Sequence, residues 1–391
     1  MTSELGIVAL IFGLLVVPRA LQRYLLPAPL TCIALGLLAS FVISHDVPLD
    51  TLALMSTLGI SSLFLFAGLE VDLALLRKGL GALLTHLAVR SVTLAALAWA
   101  AQRWLGMPTQ AAILLALALL TPSTGFILES LASLGLDERE RFWVMSKAVG
   151  GELLALVLLF GVVQSDTVIH LAWTSALLVG LIVVLPLLFI ALGRYVVPYA
   201  RGSEFSLLVM VGLVAAYATR QLGVYYLVGA FIAGLVARLL RERMPALASD
   251  QNLHAVRLFA SFFVPFYFFY SGMHVPRGAL TWSALGLGLA LTLVFVPCRV
   301  ASVWLQRRLL FRETAGSSLR VATALTPTLV FTIILADILS KRYGLSDTHF
   351  GALLVYALLT TLLPSVLLSK PFELDATQVG GTAAAEAPKA G

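Results

Sequence analysis

Leu120-Thr121-Pro122-Ser123 stands in the middle of one long apolar stretch, and Leu325-Thr326-Pro327-Thr328 in the middle of another, 327 − 122 = 205 residues later. Proline inside a helix removes a backbone donor and strands a carbonyl one turn upstream. In lipid such a group must be met by protein or by water in a cavity. A kink in one helix is commonplace. Interrupted spans at matching positions of two halves point instead to a site near the centre of a membrane fold, with Pro122 and Pro327 as the helix breaks.

The match extends outward from these breaks. Gly68-Leu69-Glu70-Val71 corresponds to Gly272-Met273-His274-Val275 at an offset of 272 − 68 = 204, and Gly36-Leu37-Leu38-Ala39 loosely to Gly234-Leu235-Val236-Ala237 at 234 − 36 = 198. The surrounding sequence is almost wholly apolar. Of the 391 residues 60% are hydrophobic and only 12% charged, at a mean hydropathy of +0.98. That is about half the charge of an average soluble domain, so the chain reads as a polytopic membrane protein with the lipid bilayer as its solvent. Cutting at charged and Pro/Gly-rich breaks predicts about thirteen spans, at 4–25, 28–44, 52–71, 81–104, 109–134, 142–164, 168–194, 203–220, 223–241, 254–273, 279–305, 318–341 and 347–369. Each match pairs a span with the one seven later, and an odd shift inverts topology. The expected fold is therefore all-α, with two inverted six-helix repeats at about 4–164 and 203–369 joined by a linker helix at about 168–194. Together they form one transmembrane domain, 1–370, followed by a tail, 371–391, rich in Ala, Gly and Thr and expected to be disordered.

Basic residues outnumber acidic ones 26 to 20, and their placement explains the excess. One set of loops holds Arg77, Lys78, Arg139, Arg141, Arg307, Arg308 and others, while the alternate set holds only Arg103, Arg220, Arg277, Lys341 and Arg342. The positive-inside rule puts the N-terminus outside and the C-terminus in the cytoplasm of a bacterial inner membrane. No basic face is left over for nucleic acid. Neither G-x-x-x-x-G-K-[ST] nor G-x-G-x-x-G occurs, and no nucleophile or metal cluster stands out, so no enzyme activity and no cofactor are expected. Cys32 and Cys298 both lie in apolar runs and read as small buried residues. The first run lacks a small-residue cleavage site and reads as a retained helix.

A few charges fall inside spans. Glu152 lies 152 − 141 = 11 residues past Arg141, roughly 15 Å into a hydrocarbon core about 30 Å thick. Two glycines precede it, in Ala148-Val149-Gly150-Gly151-Glu152, and leave room for another backbone. Burial disfavours the charged form of a carboxyl, so such a group can trade a proton for a cation. An ionisable residue at this depth is functional by default. Arg299, 307 − 299 = 8 residues before Arg307, is roughly 12 Å from its span end; it either pairs with a buried carboxylate or snorkels to the interface. Arg90 lies at similar depth and reads as structural. Glu70, Asp72 and Glu129 lie near span ends, as solvated caps or funnel linings, and His86 reads as a packed histidine.

Five stretches carry a resemblance over essentially the whole chain: Phe66-Ala67-Gly68-Leu69-Glu70-Val71-Asp72, Pro122-Ser123-Thr124 with Leu131-Ala132-Ser133-Leu134-Gly135, Gly151-Glu152-Leu153-Leu154-Ala155-Leu156, Gly229-Ala230-Phe231-Ile232-Ala233-Gly234, and Ser271-Gly272-Met273. The chain resembles the monovalent cation:proton antiporter-2 family, the branch of Kef-type and NapA-type exchangers. The resemblance implies a homodimer, a six-helix core that moves against a dimer domain, and two broken helices crossing within that core. It also implies that a monovalent cation, Na⁺ or K⁺, is exchanged for protons by alternating access. The family's polar–acidic pair reads Gly151-Glu152 here, so Glu152 is the expected ion- and proton-binding carboxylate. Arg299 takes the place of the family's basic residue as the charge partner. Thr121, Ser123, Thr124, Thr326 and Thr328 are the expected neutral ligands for the cation. A single carboxylate favours electroneutral exchange. The competing readings are a coupled transporter of a small organic anion, using Arg299 or Arg90, and an uncoupled cation channel.

Overall fold

The computed structural model describes residues 3–42, 50–71, 79–131, 133–164, 168–200, 202–221, 226–241 and 249–368. Each predicted span meets a helix or a broken pair of helices. They are α1 (Ser3–Leu21), α2 (Ala28–Val42), α3 (Asp50–Leu69), α4 (Leu80–Leu105), α5a (Thr109–Leu120) with α5b (Thr124–Ser130), α6 (Glu138–Gln164) and α7 (Val168–Tyr195). The second half supplies α8 (Glu204–Gln221), α9 (Tyr226–Leu239), α10 (Asp250–Met273), α11 (Trp282–Leu310), α12a (Ala315–Ala324) with α12b (Leu329–Tyr343), and α13 (Asp347–Leu368). Among the described residues eight spans are by themselves long and apolar enough to cross a membrane, or nine when α12a and α12b count as one; Ala28–Phe41 and Leu227–Leu239 are apolar but shorter.

Local chemistry sets the boundaries. The residue before a proline avoids the helical region, and Thr121 accordingly turns extended, at φ −75° and ψ 123°, ending α5a. The second break bends α12a against α12b by 44°. A capping box opens α6: the Glu140 N–H donates to Asp137 at 2.7 Å, and the Asp137 N–H donates back to the Glu140 carboxylate at 3.1 Å. Gly106 and Gly344, both left-handed, close α4 and α12b.

The helices pack as two bundles. In one, α3 packs on α9 and α10, α10 on α2, and α8 on α9; in the other, α4 packs on α5a, α11 on α12a and α13, and α12b on α5a and α13. The bundles meet where α3 touches α5b, and α7 lies against α6, α8 and α9. The α3–α9 and α2–α10 contacts exchange with one another when each span is replaced by the one seven away. Both rest on the glycines of the sequence matches. A Cβ on Gly234 would strike the Leu65 carbonyl and lie 2.9 Å from the Leu69 nitrogen; one on Gly36 would strike the Phe269 carbonyl. Without a hydrophobic drive between helices in lipid, such close backbone approach supplies the packing.

Several residues sit differently from the expectation. Arg307, counted among the loop charges, is 1% exposed in the last turn of α11 and is paired with Glu313. Cys32 is buried but Cys298 is exposed, on an α11 that turns only one face to the bundle. Asp72, Arg77, Lys78, the Glu129 side chain and the tail 371–391 lie outside the described residues. Arg139, Arg307 and Arg320 gather around Glu313 and Glu140.

Gly234→Val should lower stability by about 3 kcal/mol, read as a drop in the unfolding midpoint in detergent. Gly286→Ala, where nothing lies within 4 Å, should leave it unchanged or raise it by up to about 1 kcal/mol.

Candidate functional site

The two breaks meet. The Ser123 N–H, at the start of α5b, donates to the Pro327 carbonyl at 2.8 Å. Each break thus helps satisfy the other where neither can continue its own helix. The carbonyls stranded at the end of α5a are covered by side chains from three other spans. Thr332 Oγ1 donates to Ala118 at 2.8 Å, Tyr356 Oη to Leu119 at 2.6 Å, and Arg90 to Leu120. At the end of α12a the same task falls to Arg299, whose two Nη atoms donate to Thr326 at 2.9 Å and Leu325 at 3.0 Å. Arg299 also donates to Tyr356 Oη at 3.1 Å, so that one tyrosine links both breaks.

Arg90 and Arg299 therefore occupy matching positions, on spans four and eleven, against the C-terminal ends of matching half-helices. These ends carry partial negative charge. The expectation that Arg299 pairs with a buried carboxylate is corrected: among the described residues its partners are carbonyls and a tyrosine. The physical reason is the second proline break, which strands two acceptors within reach of a five-donor head group. The structural reading of Arg90 fits its contact with Leu120.

Glu152, 2% exposed, sits on α6 beside the first break. Gly151 places that helix against it: a Cβ there would lie 3.4 Å from both Pro122 Cγ and Arg90 Cζ. Thr124, at the start of α5b, is the polar residue that faces the Glu152 carboxylate. Glu152 Oε2 has no hydrogen-bond partner, and neither do Thr121 Oγ1, Ser123 Oγ and Thr124 Oγ1, although all four residues are no more than 2% exposed. The second break differs. Thr326 Oγ1 donates to Thr323 at 2.8 Å and to Thr360 at 3.2 Å, and Thr328 Oγ1 meets Thr360 Oγ1 at 3.1 Å. The Thr326 and Thr328 hydroxyls are thus already engaged, whereas those of Thr121, Ser123 and Thr124 at the first break are free.

The sequence reading passed over Lys147, 1% exposed on α6, whose Nζ donates to Gln306 Oε1 at 3.1 Å. The same oxygen faces His86 Nδ1 at 3.1 Å, so His86 is packed, as expected. Lys147 lies one turn from Gly151 on the same helix face. Its position five residues before Glu152 was the available signal. Tyr356 and Thr332 left none, since their targets are backbone carbonyls. Glu70 ends α3 half-buried, within electrostatic range of Arg238 and Arg257.

Comparison with known proteins gives this geometry a family. Two structures of the sodium proton antiporter MjNhaP1 from Methanocaldococcus jannaschii superpose on the chain with a TM-score of 0.66, at 15% identity, covering 93% and 94% of this chain and 96% of that one. At that identity the likeness establishes the fold. No curated protein sequence is similar to the chain. Residues 6–373 match the family described as sodium/hydrogen exchanger, transmembrane. With nearly its whole length matched, this chain belongs to the sodium/hydrogen exchanger family.

Proposed function

We propose that the protein exchanges Na⁺ or K⁺ for protons at Glu152, one for one, across a bacterial inner membrane. The observation that carries this reading is the cluster of buried oxygens without partners: Glu152 Oε2 and the hydroxyls of Thr121, Ser123 and Thr124. Leaving a buried polar group unpaired costs about 1–3 kcal/mol. A monovalent cation stripped of part of its water is a ligand for all four. A proton on Glu152 meets the same need differently, turning the carboxyl into a donor. Both states satisfy the site, and they exclude each other.

Thr326 and Thr328 hold the second break in shape, and Arg299 and Arg90 keep their charge throughout, since arginine does not give up its proton in proteins. Alternating access then follows from motion of the α4–α6, α11–α13 bundle against the other, within a homodimer, which exposes Glu152 to each side in turn. The two halves would be the inverted repeats at about 4–164 and 203–369, with α7 as linker. The organic-anion reading finds little support, because Arg90 and both Nη atoms of Arg299 already donate to carbonyls at the breaks.

In liposomes carrying an internal pH dye, external Na⁺ or K⁺ should make the interior alkaline. Glu152→Gln should reduce this to the level of protein-free liposomes, and Glu152→Asp should retain it with cation affinity weakened by up to about a hundredfold. Exchange by the Gln variant at the wild-type rate would sink the proposal. Thr121→Val and Ser123→Ala should each raise the cation KM by about five- to a hundredfold. Thr328→Val should instead cost about 1 kcal/mol of stability with KM unchanged.

Competition fixes the pH dependence. Below the pH at which Glu152 takes its proton, the cation KM should rise about tenfold per pH unit while the maximal rate holds. An imposed membrane potential should leave the rate unchanged. A rate that follows the potential would mean a second titrating group, and Lys147 would be the first to replace.

A further inference from the structure

Between α4, α11 and α12a lies a cavity of about 40 Å³ whose polar wall includes His86, Arg90, Arg299, Ser302, Gln306 and Thr326. The wall is rich in donors. Arg90 Nε and Gln306 Nε2 are buried and have no hydrogen-bond partner. The orientation of the Gln306 amide follows from the charged form of Lys147: an ammonium Nζ only donates, so the atom facing it at 3.1 Å is the oxygen. The amide NH₂ is thereby turned the other way. Gln306 itself is 6% exposed.

The charges around the cavity are equally one-sided. Arg90 and Arg299 line it, Lys147 stands behind Gln306, and Arg307 follows Gln306 on α11. The acids nearby are taken: Glu313 pairs with Arg307 and with Arg139 at 3.4 Å, and Glu140 pairs with Arg320 at 3.1 Å. Among the described residues no carboxylate forms an ion pair with Arg90, Arg299 or Lys147. A ligand suited to this wall accepts hydrogen bonds, carries negative charge and is small. About 10–15 Å³ of such space holds one water, so a cavity of about 40 Å³ has room for a monatomic anion or for a few waters.

We propose that this cavity binds a small inorganic anion of chloride size, held by the free Arg90 Nε and the Gln306 amide in the field of the Arg299 charge. The anion gives two like-charged guanidinium groups a shared counterion and ties α4, α11 and α12a together next to the second break. Its binding is separate from transport and is read out separately.

The test is thermal unfolding of the purified full chain in detergent, at constant sodium and ionic strength, with gluconate replaced stepwise by chloride or bromide. The midpoint should rise and saturate with either halide. Gln306→Leu should raise the half-saturating concentration by about tenfold. Gln306→Glu supplies its own carboxylate and should keep a high midpoint that no longer responds to halide; it carries the test if the Leu variant does not fold. Equal midpoints in gluconate and halide, or the same halide response in wild type and the Glu variant, would mean that the cavity holds water and the proposal is wrong.

Discussion

A backbone carbonyl in the middle of a bilayer has no water to turn to, and the two proline breaks create a group of them at the centre of this fold. Each one left unpaired costs about 1–3 kcal/mol, so the surrounding helices are arranged to meet them. Thr332, Tyr356 and Arg90 cover one half-helix end, Arg299 covers the other, and the Ser123 N–H closes on Pro327 between them. The depth of the two arginines follows from this constraint. A guanidinium offers several donors and a positive charge to a half-helix end that is partly negative.

The two breaks solve the same problem to different degrees, and the proposed ion site rests on the difference. At the second break the threonine hydroxyls are consumed by Thr323 and Thr360. At the first break they are left free beside a buried carboxylate. A fully satisfied network is rigid and holds a fixed shape. A partly satisfied one has capacity for a ligand. The second break thus has its chemistry settled within the fold, and the first is the one proposed to take the ion.

Much of this was legible in the sequence. The thirteen spans emerge from hydropathy because each is bounded by Pro, Gly or charge, and the matched Thr-Pro pairs locate both breaks. Glu152 is legible because a charge at the middle of a span has few structural explanations. The partner of Arg299 was not, since carbonyls stranded by a proline have no signature of their own and a buried arginine invites the assumption of an acid. Lys147 and Arg307 were hidden by position: both lie near span ends, where charge is ordinarily solvated, yet both are 1% exposed because α4, α6, α11 and the segment after it close around them. Sequence gives the depth of a residue along a helix, while burial depends on neighbours that only the fold supplies.

The arrangement of charge explains how a cation carrier tolerates so many buried cations. Of the buried carboxylates among the described residues, Glu140 pairs with Arg320 and Glu313 with Arg307, leaving Glu152 without a basic partner. Had Arg299 bound Glu152, every incoming Na⁺ or K⁺ would have to displace a tethered rival, and a buried ion pair broken on one side costs several kcal/mol. Anchoring the arginines to carbonyls removes that competition, so that in the proposed exchange cation and proton compete only with each other. Gly151 serves the same end. A carboxylate at that position would start from a Cβ 3.4 Å from Arg90 Cζ, and the guanidinium would neutralise it. With no side chain there, the proposed site keeps one acid, Glu152, with no guanidinium to neutralise it.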